Sequence, residues 1–227
     1  MILNSFGGLI QPGDYDVVVA QGWCQLKAGV RFATLIIRGV VIAGACNGGR
    51  IIMQSGVLSC DGDLTVDSIE GQGNLDIHGS LRCGRITLTG EMTVTSRIQS
   101  GSSVVVFGML EAESLCTPGD VRMIGHCSIG SIDACHLVVK PIRSAMFERF
   151  DMKKYLTPSR FDLIEAQVAQ VHWIRCRKIV ADDVELTGHS DIRELVYAER
   201  FRRDVSSSVE LTRFIGDPAY RNQRKVA

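Results

Sequence analysis

The sequence predicts an all-β protein, a right-handed parallel β-helix of about 17–18 residues per coil, interrupted by a short, partly helical insertion. Three observations predict it. Gly39, Gly56, Gly73, Gly90, Gly108 and Gly125 lie 17 or 18 residues apart. A short phrase recurs between them: glycine, spacer, apolar, spacer, small or apolar, two spacers, apolar. It occurs at Gly62–Ile69, Gly79–Ile86, Gly108–Leu115 and Gly130–Leu137, and more loosely at Gly39–Cys46. Lastly, residues 16–140 contain no stretch with the periodicity of an amphipathic helix of ten or more residues. Self-similarity at this period signals a solenoid, in which each repeat buries its apolar face by stacking on its neighbours.

The elements follow in order. Residues 1–15, with Gly7, Gly8 and Gly13 around Pro12, read as a poorly ordered N-terminal arm. Residues 16–140 carry the β-helix repeats as short strands bounded by Gly, Ser or Asp. Alternation points Leu64, Val66, Leu75, Ile77, Leu81, Ile86 and Leu88 inward, and Asp, Thr, Arg, His and Glu outward. At Pro141 the glycine pattern breaks. Residues 141–163 are aromatic, basic and free of glycine, and read as an insertion packed on the rod with a helical turn or two between Ser144 and Tyr155. Phe147, Phe150 and Tyr155 are expected to pin it, and Trp23 and Trp173 to pack at a coil corner or against an insertion. A second β-helical block follows over 164–216, with longer units, more charge and less glycine; Glu165–Val171 is compatible with strand or helix. Residues 217–227 form a basic tail.

Composition narrows the function classes. Lys plus Arg equals Asp plus Glu at 25 each, so overall charge does not point to nucleic acid. Aromatic residues make up 6%, so the core must be built from small and branched aliphatic side chains. No run of about 20 apolar residues marks a membrane span. The first residues lack the basic and apolar regions of a secretory signal. The eight cysteines form no CxxC, and Cys46, Cys83, Cys116 and Cys135 fall at or near inward positions of the repeats. Reduced thiols and a cytoplasmic protein are expected, with peripheral contact at the inner face of the membrane left open.

The glycine phrases, followed by Ile164–Val168, Lys178–Gly188 and Ile192–Tyr197, resemble the bactofilin or polymer-forming cytoskeletal family, in particular its longer Gram-positive-type members with a split β-helix. The resemblance covers about residues 35–215. Ala166 and Ala181 stand where family members often carry glycine. The resemblance implies a scaffold that polymerises end to end without nucleotide, partnered by itself and by cell-envelope or cell-shape proteins. Uncapped coils make this physically reasonable, because each end exposes unpaired backbone groups and an apolar cross-section. Val17, Val18 and Val19 are the expected assembly residues at one end, and Leu211 and Phe214 at the other.

Catalytic, cofactor and metal sites are expected to be absent. His126, Cys127, Cys135 and His136 could together supply four zinc ligands. Their spacing is not that of a finger, and strand alternation should send neighbouring residues to opposite faces. Structural cysteines and outward histidines are the simpler expectation. A hexapeptide-repeat acyltransferase is the enzyme alternative, with His126 or His136 as general base near a coil edge. The irregular period and the lack of a recognisable extruded loop or coenzyme A-binding helix count against it. A β-helical adaptor that does not polymerise is the other alternative. No Walker A motif, nucleophile elbow or dinucleotide fingerprint is found.

Overall fold

Successive turns of the chain lie one above the next and pair in parallel, forming a β-solenoid of about 12 turns in which strand makes up 81%. The computed structural model describes residues 1–142 and 153–216. The strands are β1 (Ile2–Ser5), β2 (Gly8–Ile10), β3 (Gly13–Ala20), β4 (Trp23–Leu26), β5 (Val30–Ile37), β6 (Val40–Ile77) and β7 (Leu81–Ser100). They continue as β8 (Val104–Cys116), β9 (Asp120–Lys140), β10 (Ser159–His172), β11 (Ile174–Thr187), β12 (Asp191–Arg203) and β13 (Ser208–Phe214). The longer strands run through several corners without losing the hydrogen-bond ladder.

The register gives the coil length directly. Leu64 pairs with Leu81, Ile86 with Val104 and Val104 with Val121, steps of 17, 18 and 17, the coil length that the glycine spacing predicts. A bulge between Val94 and Arg97 takes up a register shift. Inside each coil, buried residues come in pairs two apart: Leu81 with Cys83, Ile86 with Leu88, Met92 with Val94. Between pairs the step is three or four. Alternation along a strand explains the first spacing, and a corner that turns the chain toward a new side explains the second. Each coil therefore has three sides, and every side adds two side chains to one continuous core. All seven residues expected to point inward are buried.

The glycine column has a steric cause. At Gly73, Gly90, Gly108 and Gly125, φ is +154°, +138°, +136° and +142°. A Cβ on any of them would lie 1.8–2.3 Å from the carbonyl oxygen of the column's glycine one coil below. Both the backbone conformation and the close approach of coils at this corner require glycine. In the second block glycine returns at Gly188, with φ of +68°, and other residue types share the positive-φ positions. Trp173 and His189 adopt φ of 60° and 61° at the corners there. Buried Ser159 and Ser190 accept hydrogen bonds from the Cys127 and Ile174 amides at 3.1 and 3.3 Å.

Several expectations need correction. Residues 1–15 are not a loose arm. They carry β1, β2 and the start of β3, with Ile2 paired to Val17 and Leu3 to Val18. The period that starts the rod reaches back to the first residues, with bends at Phe6–Gly7 and Pro12 just before β2 and β3. The second block begins at Ser159 rather than 164, and Glu165–Val171 is strand. Its coils are not longer than those of the first block: Ser159 pairs with Ile174, Arg175 with Asp191 and Asp191 with Ser208, steps of 15, 16 and 17. Of the 141–163 insertion, a 3-10 turn at Lys153–Leu156 is described. Phe147, Phe150 and the tail 217–227 lie outside the described residues. Trp23 does not pack into a corner; it is half exposed beside Val40, its partner in the next coil.

Candidate functional site

The two ends of the rod are chemically distinct from its sides. At the N-terminal end, β1 pairs with β3 and β2 with β4, and among the described residues neither has a neighbour on its other edge. Ile2, Phe6 and Leu9 are exposed there, while Leu3 is partly buried against the core. The terminal ammonium of Met1 is ion-paired with Asp16.

At the C-terminal end, β13 pairs with β12 alone among the described residues. Val209 and Thr212 sit on the columns of Ile192 and Leu195, which are core columns. The column Ala134–Ala166–Ala181 ends differently: its next members are Tyr197 and Phe214. Methyl groups give way to rings, and the Tyr197 ring lies 5.7 Å from Phe201 and 5.1 Å from Phe214 in tilted contacts. Phe214 remains 60% exposed and Leu211 53%, so this edge carries exposed apolar side chains beside Glu210 and Arg213.

The expected assembly residues are therefore placed unequally. Leu211 and Phe214 lie on the terminal strand. Val17, Val18 and Val19 do not; they sit one coil inside the edge, paired to Ile2, Leu3 and Asn4, and Val18 is fully buried. Sequence reading missed Ile2, Leu3 and Phe6 because it took the segment for an arm. The Leu3-to-Val18 spacing of 15, close to one coil, was the available signal.

The histidines and cysteines divide by depth. His126 is not outward: it is buried, and its Nδ1–H donates to the Thr157 carbonyl at 3.3 Å. Burial pushes its pKa down. Cys127 is wholly enclosed, and burial raises its thiol to about 12. Cys24, Cys46, Cys60, Cys83 and Cys176 are likewise buried free thiols, whereas Cys116 is exposed and Cys135 half-buried. These last two stand outside the core that their repeat positions suggested.

Cys135 and His136 do share one side of the rod, against the alternation expectation. Ala134 and Leu137 are the buried residues on either side, so the pair between them occupies a corner and both members turn outward. His136 Nδ1 lies 2.7 Å from Asp120 Oδ1, one coil away. His126 and Cys127 do not join them.

Two shallow clefts, of about 420 and 640 Å³, run along another corner and share Gly130, Asp162 and Arg177. Their linings mix charge signs: Asp162 and Arg177 line both, and Arg193 lies 3.9 Å from Glu210 in the first. Carboxylates interrupt the arginines along both clefts, so neither presents a strip of one charge sign. No helix of the described residues is long and apolar enough to cross a membrane.

No family model matches this sequence, no curated protein matches it, and no solved structure matches it.

Proposed function

We propose that this protein is a non-enzymatic scaffold that assembles end to end by stacking its terminal coils, without nucleotide, and positions other proteins along the resulting rod. One observation carries the reading. Both ends of the solenoid offer strand edges with no partner among the described residues, and each edge is bordered by exposed apolar side chains. Stacking a second copy would satisfy the backbone groups and cover the apolar surface at once. A contact between unlike ends does not close on itself and produces a filament. The resemblance to the polymer-forming cytoskeletal family points the same way. Burial of His126 counts against the acyltransferase alternative, because it limits access of an acceptor substrate to that candidate base.

The test is negative-stain microscopy and sedimentation of the purified chain across protein and salt concentrations, with no nucleotide added. Filaments or long assemblies are expected. Placing charges at Leu211 and Phe214 should reduce them to single particles with an unchanged circular-dichroism spectrum. Uniform compact particles at every concentration would overturn the proposal. So would assembly that survives charges at both ends.

A further inference from the structure

We propose that Asp120, Cys135 and His136 bind a divalent transition-metal ion of the zinc class on the outer surface of the rod. Three ligand atoms, the Asp120 carboxylate, the Cys135 thiol sulfur and a His136 ring nitrogen, all lie within 4.8 Å of one another. The donor set is one oxygen, one sulfur and one nitrogen. That combination suits a borderline-soft ion such as zinc and is poor for calcium or magnesium, which take oxygen ligands. Zinc–ligand distances of about 2.0–2.3 Å place tetrahedral donors roughly 3.3–3.8 Å apart. The cluster comes within about an ångström of that arrangement. His136 Nδ1 and Asp120 Oδ1, now hydrogen-bonded at 2.7 Å, must separate slightly.

The backbone beneath the site is fixed and the side chains above it can adjust. Cys135 N–H donates to the Gly119 carbonyl at 2.9 Å, so ligands from two coils are tied together by the ladder itself. The His136 and Asp120 side chains are 50% and 69% exposed, which leaves them room to rotate and the ion a path from solvent. Gln167 stands in the next coil with its Oε1 at 3.3 Å from the Cys135 sulfur. It offers a fourth oxygen, or water fills that position. Three protein ligands with an accessible fourth position is the pattern of an open zinc site rather than a sealed structural one. The ion would clip the coil of Asp120 to that of Cys135 and leave one coordination position for an exogenous donor.

Zinc titration of the full chain against a competing chelator dye tests this, together with the absorption spectrum of the cobalt-loaded protein. One ion per chain, bound at micromolar affinity or tighter, and a thiolate-to-cobalt charge-transfer band are expected. Cys135→Ser should abolish the band, and His136→Ala or Asp120→Ala should each weaken zinc at least about tenfold. Two controls separate this site from other surface donors. Cys116→Ser removes the other exposed thiol, which faces Asp133 and no histidine. His78→Ala removes the histidine that sits between Asp61 and Asp76. Both should leave binding and the band unchanged. The proposal is overturned by the absence of binding, by a band that persists in Cys135→Ser, or by affinity lost in a control and kept in His136→Ala.

Discussion

Gly125→Ala tests the stacking geometry most directly. The added methyl carbon would lie 1.8 Å from the Gly108 carbonyl oxygen and 2.8 Å from its carbon, both backbone atoms of the coil below. Reaching 3.0 Å means parting the coils by about 1.2 Å, a quarter of the roughly 4.8 Å spacing of stacked strands. The residue must also hold φ at +142°, a conformation that L side chains rarely adopt, at about 1–3 kcal/mol. Weakening two ladder hydrogen bonds adds roughly 1 kcal/mol each. The net loss is about 3–5 kcal/mol, or a fall of about 1–2 M in the urea midpoint. Gly44→Ala is the matched control, since nothing lies within 4 Å of its Cβ position. It should change stability by less than about 0.5 kcal/mol. Solenoids need not unfold in one step, so midpoints should be compared by circular dichroism and by tryptophan fluorescence together. If both variants unfold at the same midpoint, the close approach of coils at the glycine corner is not what demands glycine.

Other outcomes follow from the same coordinates. Ile77→Ala empties a fully buried core position and should cost about 2–5 kcal/mol by the same denaturation assay. Leu211→Lys combined with Phe214→Glu should leave the unfolding midpoint nearly unchanged while sedimentation shows loss of assemblies. Native maleimide labelling followed by mass spectrometry should modify Cys116 and Cys135 first, and the six buried cysteines only after denaturation. Asp204 gives a pH signature. Hydrogen bonds from Ser207, the Gly188 amide and Ser206 hold its carboxyl down to about 2. A depressed folded-state pKa adds stability above the ordinary carboxylate range, and that stability is lost as pH falls from about 4 toward 2. Asp204→Asn should flatten that part of the acid-unfolding profile, and an unchanged profile would remove Asp204 from the account.

The sequence by itself determined the class of fold, the coil length and the inward face, because each depends on local rules that repeat. A side chain that alternates along a strand declares its face within two residues, and a corner glycine declares the coil within 17. Leu64, Val66, Leu75 and Ile77 were readable on those terms, and their burial follows. Where the repeat loses its glycines the reading weakened, so the second block's start at Ser159 and its coil lengths of 15–17 residues came only from the ladder. Tertiary structure alone decided two further things. It set which strand ends the rod, since an edge is defined by what fails to pair with it, and β1 proved to cover Val17–Val19. It also brought Asp120 to His136, 16 residues away along the chain and 2.7 Å away in space. Neighbours across coils are set by register, and register depends on the exact length of every corner between them. Alternation, the only rule visible along the strand, predicts nothing at a corner, which is where Cys135 and His136 come to face the same way.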